Sequence, residues 1–306
     1  MSLSPRLRTL PWELVELILM TAAKQWYIAE PGALARLCRL SRIMHDLSTP
    51  LLYSIVILHG ADSAQRFSRT LASRPVGFLA RHLKAMSVSL REGDSWAQAE
   101  STLAPFAPIL GIVSHAQAPL DLFDKVLETY AWQRSDAAFR DLRVSLLPPS
   151  LHTPVDSTRV LRRLVSDARV THIHIGGLGE LFGDLITVAC GVQIGGEKVR
   201  LTHITCDAHM AKMWTTTATI RAIRDLFYLA GIERLVFRVC REDDNAQQLL
   251  QLLEVSMDHR ICIHYVPKVE LQSMTQTAVD GWRMHMAGID NLWLSGEPVY
   301  VPVKPV

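Results

Sequence analysis

An α/β fold is expected from three features of this 306-residue sequence: short apolar runs rich in Val, Ile and Thr, amphipathic stretches between them, and a start that carries only helical signals. The runs recur about every 23 to 35 residues, a distance over which a helix can return the chain to a parallel strand.

The helical start opens with "TLPWELVELILMTAA" (residues 9–23). Glu13 and Glu16 interrupt the apolar run, so it is neither a secretory core nor a membrane span, and acidic residues argue against a transit peptide. Leu10, Leu14, Leu17 and Ile18 fall at i, i+4, i+7 and i+8, one stripe of an amphipathic helix that awaits a partner. Pro11 suits the first helical position and Glu13 lies favourably near the positive end of the dipole. "QWYIAEPG" breaks the helix. "ALARLCRLSRIMHDLSTPLL" then reads as one helix with Leu34, Leu37, Leu40 and Leu47 near one face, stopped over Ser48–Pro50.

Strands are expected at "YSIVIL" (53–58), "KAMSVSL" (84–90), "PLDLF" (119–123), "RDLRVSL" (140–146), "RVTHIHI" (169–175), "RLTHITC" (200–206), "RLVFRVC" (234–240) and "RICIHYV" (260–266). Helical stretches such as "SAQRFSRTLASR", "AESTLAPFAPILGIVSHA", "TATIRAIRDLFYLAG" and "NAQQLLQLLEVSM" precede most of them. Gly195-Gly196 in "VQIGGEKVRL" predicts a hairpin insertion. A doubly wound sheet and a horseshoe both fit the alternation. No strand end carries a Gly-rich phosphate loop, and the repeated "x-L-x-V/I-x-V/I" strands suit the horseshoe, a degenerate leucine-rich-repeat-like α/β solenoid without the asparagine of a regular repeat. The domain boundaries expected are 1–52 for the helical domain, 53–290 for the repeat domain and 291–306 for an extended C-terminal tail. Trp282 and Trp293 are expected to pin the C-terminal segment to the last repeat.

Composition narrows the partners. Hydrophobic residues at 49% and charged residues at 20% allow a large core. The balance of 32 basic against 30 acidic residues gives no electrostatic footprint for nucleic acid or an anionic membrane. Cys38, Cys190, Cys206, Cys240 and Cys262 are scattered, odd in number and without a CxxC pair, which predicts free thiols and an intracellular home, cytosol or nucleus.

Catalytic and metal patterns are weak. His172 and His174 lie two apart on a strand and so share a face, but zinc would need a third ligand from elsewhere. His203 and Cys206 lie an odd number apart and face opposite sides. "GGLGE" is not followed by Lys-Ser/Thr, no G-x-S-x-G elbow occurs, and Cys206, Asp207 and His209 are merely adjacent in sequence. "REDDNAQQ" reads as a solvated loop and helix start, with Asp244 or Asn245 as cap. No enzyme activity, cofactor or metal is expected.

Leu10-Pro11, Glu13-Leu14, Ile18-Leu19, Leu37, Leu40-Ser41-Arg42, Leu47 and Leu52-Tyr53 together resemble an F-box. "TPLLYSIVILHGADSAQRFSRTLASRP" followed by "ARHLKAMSVSL" resembles the F-box-like proteins abundant in basidiomycete fungi, which carry a divergent leucine-rich-repeat-like region. The resemblance implies that the N-terminal helices bind a Skp1-type adaptor protein. The repeat region would then present an unknown substrate protein to a cullin-based ubiquitin ligase. It also implies the partner-binding residues: Leu10, Pro11, Leu14 and Ile18, supported by Leu37, Leu40, Leu52 and Tyr53. Ile43-Met44 and Tyr53 stand where the family has other residues, so a second reading is an interaction scaffold whose decayed F-box recruits no ligase.

Overall fold

The computed structural model describes residues 11–29, 31–74, 77–89, 109, 112–128, 141–147, 155–176, 179–196, 199–207, 217–240, 244–266, 281–286 and 291–300. The chain divides into two compact units: Met1–Val56 with Pro75–Lys84, and Ile57–Arg74 with Ala85–Val306.

The first unit is helical. Helix α1 (Trp12–Ala29) starts where Pro11 O accepts the N–H groups of Leu14 (3.0 Å) and Val15 (3.2 Å). It runs through "QWYIA" and breaks only at Pro31, which opens α2 (Pro31–Leu37). The single helix expected over 33–52 is split. Ser41 caps α3 (Arg42–Leu52) by accepting the Met44 N–H on Oγ at 3.2 Å. Pro50 lies inside α3 instead of ending it. In the last turn a proline removes one bond, to the carbonyl of the exposed Asp46, where water can replace it. Leu34 and Leu37 form the core with Met44, Leu51 and Leu52 packed against them. Tyr53 meets Phe78, on α5 (Phe78–His82), edge to face at 5.1 Å.

Strand β1 (Ile55–His59) spans the boundary between the units, and α4 (Ala61–Ala72) belongs to the second. There follow β2 (Ala85–Ser89), β3 (His115–Pro119), α6 (Leu120–Glu128), β4 (Leu142–Leu147), α7 (Ser157–Ser166), β5 (Val170–Ile175), α8 (Gly179–Ile194), β6 (His203–Asp207), α9 (Thr217–Leu229), β7 (Arg234–Cys240), α10 (Asp244–Glu254), β8 (Ile261–Val266), a helical turn over 281–286, and β9 (Glu297–Pro298). The strands form one open sheet in strict chain order, parallel from β2 to β8, with β9 antiparallel on β8. Nowhere does the order reverse, as a doubly wound sheet requires. Helices α6 to α10 each pack on the next.

Register assigns the two sheet faces. Met86, Ala116, Val144, Ile173, Ile204, Leu235 and Ile261 share one face, all buried, and Phe237 on that face meets Phe182 of α8 with ring centroids 5.7 Å apart. The helices therefore cover the apolar face. The strands β5 and β8 are entered through the same device. Asp167 and Asp258 each accept the backbone N–H of an arginine two residues on, Arg169 and Arg260, and hold its guanidinium at 2.7 and 2.6 Å.

Two element expectations are corrected. "PLDLF" is not a strand: Pro119 ends β3, and Leu120 to Phe123 open α6. The real strand, "HAQAP", lacks β-branched residues and is held by pairing to β2 and β4 on both sides. "VQIGGEKVRL" makes no hairpin, because α8 continues to Ile194 and stops at Gly195-Gly196. Gly196 takes φ 83 there and returns its N–H to Gln193 O at 3.1 Å, a glycine helix end. Most of "AESTLAPFAPILGIVSHA" lies outside the described residues. Among the described residues no helix is long and apolar enough to cross a membrane. All five cysteines are free thiols.

Candidate functional site

Two surfaces carry the chemistry, one in each unit. On the first, Leu14, Leu17 and Ile18 project from adjoining turns of α1 with 45%, 62% and 55% of their surface exposed. A lone exposed leucine is ordinary; three at i, i+3 and i+4 make an apolar ridge of the kind that enters a groove. Leu40 and Ile43 in the same unit are exposed as well. Of the eight expected partner-binding residues, Pro11, Leu14, Ile18 and Leu40 are at the surface. Leu37 is buried in the core, Leu52 and Tyr53 are partly buried, and Leu10 lies outside the described residues. Leu37 and Leu52 thus hold the unit together.

In the second unit, the sheet face opposite the helices is polar. Register aligns Ser87, Gln117, Ser145, His174 and Thr205 across five neighbouring strands, and all are buried. Ser87 Oγ donates to Gln117 Oε1 (2.6 Å), Gln117 Nε2 donates to Ser145 Oγ (3.1 Å), and Ser145 Oγ lies 2.7 Å from His174 Nδ1. His174 Nε2 stands 3.2 Å from Asp207 Oδ2 at an angle that makes the contact Coulombic and not a hydrogen bond. Asp207 Oδ1 accepts from Arg238 Nη1 at 2.9 Å. The rungs from Ser87 to His174 Nδ1, and from Asp207 Oδ1 to Arg238, pair buried polar groups, as a parallel sheet buried on both faces demands.

Ser145, His174 and Asp207 bear the names of a hydrolytic triad but not its arrangement. The serine faces Nδ1 and the carboxylate Nε2, Ser145 Oγ already accepts from Gln117, and no triad member is more than 3% exposed. The row is a structural ladder. Among the described residues no group of three His, Cys, Asp or Glu side chains converges on a metal position.

The chain's own C-terminal segment lies across the ladder between β3 and β7. Thr205 Oγ1 donates to Leu292 O at 2.9 Å, and Arg234 Nη2 reaches the carbonyls of Leu294, Ser295 and Gly296 at 3.0 to 3.3 Å. Trp293 stands nearly perpendicular to the rings of His172 (centroids 5.1 Å apart) and His174 (6.3 Å), and its indole N–H donates to His285 Nε2 at 3.1 Å. Trp282, Leu292 and Trp293 are each no more than 1% exposed. The tryptophans do pin the C-terminal segment, but Trp293 does so at β5, three strands inward from the β8 edge expected from sequence.

Glycines fit the segment to the sheet. A Cβ on Gly281 would come within 2.6 Å of the Arg238 guanidinium. Gly296 has φ 91, and a Cβ there would sit 2.6 Å from Ile263 O. Gly296→Ala is expected to cost about 1–2 kcal/mol from the left-handed backbone alone and to detach β9. A lower urea midpoint, with faster amide exchange at Val299 (which bonds Ile261 O at 2.9 Å), would register it.

Electrostatics beneath the segment run one way. Burial, then Arg143, pushes the His115 imidazole down to about 3. Burial foremost, then the His203 ring stacked on it at 4.3 Å, does the same to His172, also to about 3. His203 is lowered by burial, against a raising contribution from Glu233. Cys206, buried on the apolar face beside Asp207, has its thiol pushed well up, so it is no nucleophile.

Sequence reading placed His172 and His174 on one face, as found, but passed over the ladder. Its signal was a polar residue recurring on the same face of each successive strand, Ser87, Gln117, Ser145, His174 and Thr205. No protein-family model matches the chain, and no curated protein or solved structure matches it either.

Proposed function

We propose that the chain is an F-box-like adaptor: its first unit docks a Skp1-type adaptor protein, and its second, a leucine-rich-repeat-like solenoid, holds a substrate protein for a cullin-based ubiquitin ligase. The observation that carries this reading is the exposed ridge Leu14, Leu17 and Ile18 on α1, within the segment whose Leu10-Pro11 and Leu40-Ser41-Arg42 resemble an F-box. Burying such side chains in a partner groove yields roughly 1–2 kcal/mol each, and the groove reads the i, i+3, i+4 spacing. Strict strand order and a continuous layer of helices support the solenoid, since repeats of this class contact only their neighbours.

The test is co-purification of the full chain with a Skp1-type protein. Leu14→Asp and Ile18→Asp are expected to weaken binding at least about a hundredfold, each placing an unpaired carboxylate in an apolar groove. Because both residues are exposed in the isolated chain, the melting temperature of the variants should stay at the wild-type value. A folded wild-type chain that captures no such partner would remove the ligase from the proposal and leave an interaction scaffold.

A further inference from the structure

We propose that residues 281–286 and 291–300 form an acid-released strap, which closes the polar face of the sheet at neutral pH and lifts away from it in mild acid while the sheet stays folded. This stands on the second unit alone and is independent of the adaptor reading.

Geometry makes closure depend on neutral imidazoles. His285 Nε2 accepts the Trp293 indole N–H at 3.1 Å, and the Leu292 N–H points at Nδ1 of the same ring at 3.3 Å. A neutral ring accepts at one nitrogen only and an imidazolium at neither, so protonation of His285 removes the acceptor of the Trp293 indole N–H. Trp293 also stands nearly perpendicular to the His172 ring, with centroids 5.1 Å apart. A charge on His172 would form in a largely desolvated position beside the stacked His203 ring.

The surroundings offer little compensation. The titratable and charged groups around the strap, among the described residues, are His115 of β3, Arg143 of β4, His172 and His174 of β5, His203 and Asp207 of β6, Arg234 and Arg238 of β7, Glu233 beside His203, and His264 of β8, with Arg283, His285 and Glu297 on the strap itself. Three carboxylates stand among them; Asp207 is already engaged by Arg238, and Glu297 is exposed on β9. Added protons therefore accumulate as like charge.

The sign follows from linkage. Under the closed strap His115 and His172 titrate at about 3, against 6.5 when free in water. Opening takes up protons, so closure is fully supported above about 6.5 and weakens as the pH falls toward 3. The strap crosses from Leu292 to Thr205 over 87 residues of chain and is attached by a small set of discrete contacts, so it can open as a unit.

Amide hydrogen exchange of the full chain at pH 7.5 and pH 5.0, corrected for intrinsic rates, tests this. Peptides covering the strap are expected to exchange at least about tenfold faster at pH 5.0, with those covering β4 to β7 unchanged and β8 losing only its pairing to β9. His285→Gln keeps an acceptor for the indole but does not titrate, and His172→Phe keeps a ring under Trp293; each should reduce the acid acceleration severalfold. Equal strap exchange at both pH values in the wild type would overturn the proposal. So would acceleration of strap and strands together, which would make the segment an inseparable part of the sheet's core.

Discussion

Asp207→Ala is expected to lower the stability of the second unit by about 3–5 kcal/mol, the largest effect of any single polar substitution. The reason is not the value of the ion pair itself. Arg238 is 1% exposed, its Nη1 bonds Asp207 Oδ1 at 2.9 Å, and removing the carboxylate leaves a guanidinium buried without its counter-charge. His174, 3.2 Å from the other oxygen, loses its neighbour in the same step. The double replacement Asp207→Leu with Arg238→Met removes both charges in roughly conserved volume and should recover more than half of the loss. Urea denaturation of the wild type, both single variants and the double variant closes the cycle. If Asp207→Ala alone proved neutral, the ladder would have to be solvated, and the account of the covered face would fail.

Trp293→Ala should cost about 3–5 kcal/mol, but through a different part of the molecule. The indole is 1% exposed, stands nearly perpendicular to the His172 and His174 rings, and gives its N–H to His285. Truncation opens a cavity over the centre of the polar row and leaves His285 without its donor. Trp293→Phe separates the two contributions, since it keeps an aromatic ring and loses the hydrogen bond; about 1–2 kcal/mol is expected for it. Calorimetry with amide exchange would show whether the loss is confined to residues 281–286 and 291–300 or shared by β5 and β6. Confinement is the outcome expected of a segment laid on a sheet that folds without it.

What could be read in the sequence follows from how each element is held. β7, "RLVFRVC", and β8, "ICIHYV", declare themselves through β-branched and aromatic residues whose alternate faces are both buried. β3, "HAQAP", has no such signal, because its place is set by Ser87 and Ser145 hydrogen-bonding to Gln117 from either side. Helix α8, "GELFGDLITVACGVQI", hid behind internal glycines and a glycine pair that also suits a hairpin. At the N-terminus, periodicity correctly marked an apolar stripe on α1, and the structure adds that Leu14, Leu17 and Ile18 are the part left uncovered. The covering of the polar face was out of reach, since it joins residues as far apart as Thr205 and Leu292, and no local pattern encodes such a meeting.

Chain order in the sheet bears on how the protein is made. Each strand from β2 to β8 pairs with the one synthesised just before it, so the sheet can grow vectorially as the chain leaves the ribosome, with short loops closed at every step. Leu292 and Trp293 emerge only after all the strands they cover. Until then His174 and Thr205 lack the cover that Trp293 and Leu292 give them in the finished protein.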